Sequence, residues 1–258
     1  MSSLAFSPLD TAPLFQRLAS GERVCVVTPN QRLAAALAER YARAQLANGL
    51  EVWDAADILP LSALYQRYYD AVAYSGQASM EPSLLTAIQE QAIWEGIIAG
   101  SEAGAGLLSA SSAATLARDA WTLAHAWHLL PKLNDFFGNE DTRVFSDWAW
   151  RYQGSTARDK QIDRARLADW LLPQLSKLST ELPRLLVAWG FEILTPQQEA
   201  FFAAMGGAGI KLSRDALTEP QSSGVLTACA DPEEEMRHAA RCRPGAGAAR
   251  AWARSSAT

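Results

Sequence analysis

The chain has 258 residues, of which 49% are hydrophobic and 20% charged, with a net charge of -5. That balance allows a sizeable core and excludes a uniformly basic nucleic-acid binder, so any nucleic-acid contact has to be local. Cys25, Cys229 and Cys242 are scattered without a C-x-x-C pair, and neither an export signal nor a run of 18 apolar residues occurs, so the reading is a cytoplasmic protein without disulfides or a membrane span.

Arg23 to Val27 is a short apolar, β-branched run that breaks at Thr28-Pro29-Asn30. A helix is then predicted over Gln31 to Ala47, with Leu33, Leu37, Tyr41 and Ala44 on one face and Asn48-Gly49 as its stop. Leu50 to Trp53 is short, apolar and followed by turn residues, which predicts a second strand.

Helical patterns follow over Leu61 to Tyr74, Pro82 to Ala99, Leu108 to Leu130 and Thr142 to Tyr152. Another covers Asp163 to Leu175, with a kink expected at Pro173. Apolar stripes such as Ala117, Trp121, Ala124 and Trp127 place most of the nine tryptophans in a core.

A strand over Leu185 to Trp189 leads to a helix over Pro196 to Met205, which Thr195 caps with Pro196 at its first position and Gln198 at its third. Ile210 to Leu212 and Gly224 to Cys229 read as further strands. The second leads to another capped helix start at Asp231-Pro232-Glu233. After Cys242 the sequence turns alanine-rich without an acidic residue, as in a disordered end, and the expectation is a chain truncated or frame-shifted near that point.

The resulting fold class is α/β, predominantly helical, with a small parallel sheet and a large helical insertion. The expected organisation is an α/β start over 1–60, the insertion over 61–180, an α/β continuation over 181–242 and the tail over 243–258.

Phosphate-cradling loops need a G-x-x-x-x-G-K-(S/T) run, and none occurs. Gly206-Gly-Ala-Gly-Ile-Lys-Leu-Ser213 is the nearest approach, but its Lys is displaced and it follows a helix. The strand ending in Trp189-Gly190-Phe191 lacks the terminal carboxylate that would hold magnesium, which argues against ATP hydrolysis. No Asp or Glu is followed two positions later by Lys, so the acidic core of a metal-dependent nuclease is missing from these residues.

His125 and His128 are spaced for a shared metal but have no acidic or Cys partner at helical spacing, and a surface or core pair is the plainer reading. Arg166 and Trp170 stand at i and i+4, a spacing that can stack a guanidinium on an indole or offer both to a nucleic-acid strand. Packing of Trp170 with a solvated Arg166 is the structural alternative. No Gly-x-Ser-x-Gly elbow and no dinucleotide fingerprint after Val27 is present, which leaves hydrolase and Rossmann-type enzyme readings without support.

Four segments together carry a family resemblance: Val26-Val-Thr-Pro-Asn-Gln-Arg-Leu33, Phe145 to Trp148 with Ile162 to Leu167, Gly190 to Gln198, and Ala230 to Ala240. Over about residues 12 to 241 the chain resembles the bacterial AddB-like DNA repair proteins, in which an inactivated helicase-like region precedes a C-terminal PD-(D/E)XK nuclease. The resemblance implies a sheet of degenerate P-loop helicase type. It makes Thr28, Asn30, Gln31 and Arg32 candidate contacts to DNA, to which the i,i+4 spacing adds Arg166 and Trp170, and makes Gly190, Phe191, Thr195 and Gln197 a surviving motif scaffold. The alternative for Asn30 is a plain helix cap, with Gln31 and Arg32 facing solvent.

The implied function is the N-terminal, ATPase-dead portion of a DNA repair exonuclease, without a catalytic centre, metal or cofactor in these residues. Its implied partners are DNA, as single strands or duplex ends, and a helicase-nuclease subunit. The alternative is a protein-interaction scaffold with no nucleic-acid role.

Overall fold

The computed structural model describes residues 6–74, 82–135, 140–178, 181–216, 229 and 231–241. The chain enters through a three-residue strand, β1 (Ser7–Leu9), and passes through Asp10 alone into α1 (Thr11–Ala19). β2 (Val24–Thr28) follows, buried at all five positions, and then α2 (Gln31–Ala47). The ends of α2 coincide with those expected: Asn30 caps its start, and beyond Asn48 the chain turns at Gly49 with φ +81°.

Leu50 to Trp53 is not a strand. Val52 is 86% exposed, and the strand forms later as β3 (Ile58–Pro60), where Val26, Val27 and Thr28 find their parallel partners. An apolar run qualifies as a strand only if a neighbour can receive its backbone groups.

α3 (Leu61–Tyr74) keeps its expected bounds. The next helix is shorter than expected because Ser83 and Leu84 form a two-residue strand, β4 (Ser83–Leu84), and Thr86 then opens α4 (Ala87–Ala99) with a full capping box. α5 (Glu102–Ala105), α6 (Ala110–Ala126) and α7 (Glu140–Arg158) follow, then β5 (Gln161–Ile162), which pairs with β4 in parallel. α8 (Arg164–Leu171) gives way to a 3-10 stretch over Leu172–Leu178 where a kinked helix was expected.

β6 (Leu185–Ala188) is buried throughout; α9 (Pro196–Gly207) and β7 (Lys211–Asp215) complete the sheet. α10 (Pro232–Arg241) belongs to a second unit that begins after Ala216; Asp231 caps it through a 2.7 Å bond from the Glu234 N–H. The expected strand at Gly224 to Cys229 lies outside the described residues except for Cys229, and the tail over 243–258 lies outside them entirely.

Five of the strands form a parallel sheet in the order β1-β7-β6-β2-β3, and β4 and β5 a separate two-stranded one, giving a mixed α/β fold rich in helix. Chain direction explains its two covers. β1 to β2 and β2 to β3 advance one way across the sheet and β6 to β7 the other, so right-handed crossovers place α1 and α2 on one face and α9 on the opposite face. The alternation of side chains agrees. Val24, Val26, Leu185 and Val187 pack with Leu14 and Leu37 of α1 and α2, whereas Cys25, Val27, Leu186 and Ala188 share a core with α3, α8 and α9.

Helices α4, α6, α7 and α8 build a separate aromatic core. Trp94 stacks on Tyr152 with ring centres 4.2 Å apart, and Trp121 meets Tyr152 edge-on at 5.4 Å. Trp94, Trp121 and Trp148 are buried as expected of core tryptophans, while Trp127 and Trp150 are exposed. No helix among the described residues is long and apolar enough to cross a membrane.

Candidate functional site

A parallel sheet offers a crevice where neighbouring strands send their crossovers in opposite directions, at the carboxyl ends of those strands. Here that switch point lies between β2 and β6. Val27 pairs with Ala188, and the Trp189 N–H donates to the Val27 carbonyl at 2.8 Å, so the two strands end side by side. The segment Thr28 to Arg32 and the segment Gly190 to Gln198 are thereby brought to one edge.

The β2 side is set by two hydrogen bonds. Thr28 is fully buried, and its Oγ1 donates to the Asn30 carbonyl at 2.8 Å. Asn30 is extended at φ -152°, and its Oδ1 accepts from the Leu33 N–H at 2.9 Å. Gln31 and Arg32 occupy the exposed first turn of α2, which contains no acidic residue. That turn presents backbone N–H groups at the positive end of a 17-residue helix, with a cationic side chain beside them. Of the four candidate contacts on this segment, Thr28 therefore faces inward, Asn30 is the cap, and Gln31 and Arg32 face solvent.

On the β6 side, Gly190 has φ +76°, and a Cβ added there would overlap Leu33 Cδ2. Phe191 is buried, and its carbonyl accepts a 2.9 Å bond from Arg214 Nη2 on β7. Sequence reasoning did not single out Arg214, because the expected strand stopped at Leu212 while the pairing of Ala188 with Arg214 carries it further. Thr195 and Gln198 close a reciprocal capping box on α9. Gln197 is buried and donates from Nε2 to the Ala165 carbonyl and to Asp169 Oδ2, both at 2.8 Å, so it fastens α9 to α8.

Arg166 and Trp170 are drawn to different partners. Arg166 turns into the helical core: its Nε donates to Asp163 Oδ2 at 2.7 Å and its Nη2 to Thr156 Oγ1 at 2.9 Å. Its guanidinium lies 5.6 Å from the ring centre of Trp121 and 5.7 Å from that of Tyr152, and its side chain is only 16% exposed. Trp170 instead packs on Tyr69 at 5.5 Å. Asp163, fully buried, is the hub: it also caps α8 and accepts from Trp121 Nε1 at 3.2 Å.

His125 gains an acidic neighbour that helical spacing could not show, since Asp169 Oδ2 of α8 stands 3.8 Å from its Nδ1. Burial alone would raise the Asp169 pKa, but His125 and the Gln197 amide, with further help from His128, bring it below the ordinary value. Among the described residues no group of three or more His, Cys, Asp or Glu side chains is arranged to hold a metal ion. Cys25 is a free, buried thiol whose pKa burial, and then Asp57, push well up, as in an unreactive core cysteine.

Gly206 to Ser213 runs from the end of α9 into β7, the reverse of the strand-to-helix order that a phosphate loop requires. Compared with models of known protein families and with curated proteins, the chain matches none of them.

Proposed function

We propose that the chain is a helicase-like module without ATPase activity that holds a DNA strand at the β2–β6 switch point, as part of a DNA-end-processing repair exonuclease. The observation that carries this reading is the meeting of the exposed Gln31–Arg32 helix start with the Gly190–Thr195 loop at the sheet position where ligands of parallel α/β folds bind. A first turn without acidic groups and with an arginine suits a phosphodiester backbone.

Two junctions support the loss of nucleotide chemistry. β1, the strand before β2, turns into α1 through one residue, which leaves no room for a glycine loop around phosphates. β6 runs out into Trp189, Gly190 and a buried Phe191 where a magnesium-holding carboxylate would stand.

Fluorescence anisotropy with a labelled single-stranded oligonucleotide tests the reading. Binding at low salt that weakens as salt rises, and weakens again in Arg32→Ala, is expected. Absence of binding at low salt, or ATP hydrolysis stimulated by DNA, defeats it.

A second reading, a protein-interaction scaffold, is favoured by one surface. Leu116 and Leu123 of α6 and Trp127, the residue that caps its end, are 71%, 58% and 43% exposed at i, i+7 and i+11, a stripe that one partner helix could cover. Under that reading the oligonucleotide has no effect, and Leu123→Glu abolishes capture of a partner subunit.

A further inference from the structure

A pocket of about 260 Å³ opens at the end of the sheet opposite the switch point. Glu22 to Cys25, Asp54 to Asp57 and Pro183 line it, so it spans the amino-terminal approaches of β2, β3 and β6. The three strand starts are tied together there: the Arg184 N–H donates to the Arg23 carbonyl and the Val26 N–H to the Asp57 carbonyl, both at 2.8 Å. Those bonds fix the floor before any ligand arrives. Val24 and Thr28 are the two ends of β2, about 13 Å apart at about 3.3 Å per residue, so the pocket and the DNA-binding edge are separate places.

The walls carry the carboxylates of Glu22, Asp54, Asp57 and Glu181 against the guanidiniums of Arg23 and Arg67. Arg67 is committed to Asp57 through a two-pronged fork, Nη1 to Oδ2 at 2.8 Å and Nη2 to Oδ1 at 2.6 Å. Arg23 is engaged as well, and Glu22 pairs with Arg17 at 3.3 Å. The side chains of Asp54 and Glu181 have no hydrogen-bonding or ionic partner among the described residues. No wall cation is left for an anion, while two wall carboxylates are left for a cation. Next to Arg67 on α3, Tyr68 forms the inner wall: it is 1% exposed, and its hydroxyl has no hydrogen-bond partner. A buried hydroxyl in that state is penalised, and a ligand group that reaches it relieves the penalty. Burial above all holds the phenol above its ordinary pKa, so it keeps its proton and its oxygen accepts N–H donors as a neutral group.

We propose that this pocket binds a small organic cation, with Asp54 and Glu181 drawing in its charge and the Tyr68 hydroxyl accepting one of its N–H groups. The site is independent of the DNA-binding reading. A metal ion does not suit it: among the described residues no group of three or more His, Cys, Asp or Glu side chains is arranged to hold one, whereas an amine or guanidinium satisfies carboxylates and a phenol through N–H donors. The volume falls just below the range of about 300–1,000 Å³ typical of drug-sized ligands, which sets the occupant at the scale of a short amine such as agmatine.

The full-length chain carries the test. Isothermal titration calorimetry at low salt should show agmatine binding saturably at one site per chain, and succinate, a short dianion, not binding. Tyr68→Phe keeps the packed ring and should weaken agmatine binding about tenfold. Asp54→Asn combined with Glu181→Gln, both at exposed positions, should weaken it by about tenfold or more while the denaturation midpoint stays where it is. No binding of agmatine at millimolar concentration overturns the proposal, and so does binding of succinate. Equal affinity in Tyr68→Phe and wild type overturns it as well, because agmatine is then only attracted to surface carboxylates.

Discussion

Gly190 leaves the space that Leu33 fills. Its φ of +76° turns the chain after β6 back toward the first turn of α2, and any Cβ there would overlap the Leu33 side chain. This one contact joins the two halves of the switch-point crevice. Gly190→Ala is expected to destabilise the chain by about 1–2 kcal/mol from backbone conformation alone, with an added cost for moving Leu33. Gly154, in α7 with open space around it, is the control: Gly154→Ala should leave stability unchanged or raise it by about 0.5–1 kcal/mol. Urea denaturation decides, and a Gly190→Ala midpoint equal to wild type would falsify the account.

Thr28 and Arg32 are four residues apart and should answer two experiments in opposite ways. Thr28→Val removes a buried hydroxyl bonded to the Asn30 carbonyl and should cost about 1 kcal/mol of stability without changing oligonucleotide affinity at full folding. Arg32→Ala should leave stability within about 0.5 kcal/mol and reduce the slope of log affinity against log salt by about 0.7, the loss of one phosphate contact to a single strand. An unchanged slope in Arg32→Ala removes Arg32 from the interface.

Arg166 is a core cation in this fold. Arg166→Met leaves the fully buried Asp163 without its partner and should cost about 3–5 kcal/mol. Arg166→Lys should fall between, because an ammonium cannot reproduce the fork that reaches Asp163 and Thr156 together. Chemical denaturation of the three proteins gives the order; a fully stable Arg166→Met would instead return this residue to the list of surface contacts.

The sequence was most informative where local chemistry is self-sufficient. Asn30 and the Asn48-Gly49 pair each mark an end of α2, and Thr195 with Gln198 marks the start of α9, because capping bonds form within four residues. It was least informative where a distant partner decides. β1 is a strand only because Ser7, Pro8 and Leu9 lie beside Ser213 to Asp215, and Leu50 to Trp53 is not a strand because none of the described strands pairs with it. At the candidate site, Arg166 and Trp170 have a spacing that predicts a shared surface, yet Tyr152, Trp121 and Tyr69 on other helices claim them separately. The i+4 rule speaks only of one helix.

Asp169 should govern part of the acid limb of stability. Its folded-state pKa is lowered, so its contribution is present above the unfolded value, about 3.9, and is lost as pH falls through the folded value. Asp169→Asn should therefore flatten the decline in denaturation midpoint below about pH 4 while lowering stability at neutral pH. If the acid limbs of Asp169→Asn and wild type superimpose, the His125 and Gln197 contacts do not favour its ionised form.

The pairing of β2 with β6 has a consequence in time. Val24 and Leu185 are partners across roughly 160 residues of intervening chain, most of them the helical unit. During synthesis at about 5–20 residues per second, β2 emerges roughly 10–30 seconds before the strand that covers its edge. Through that interval the bare flank of Val24 to Thr28 is a template for any other extended chain. The helices between them cannot shorten that wait, but with their aromatic core closed the loop that β6 has to close is effectively shorter, which lowers the entropy cost of completing the sheet.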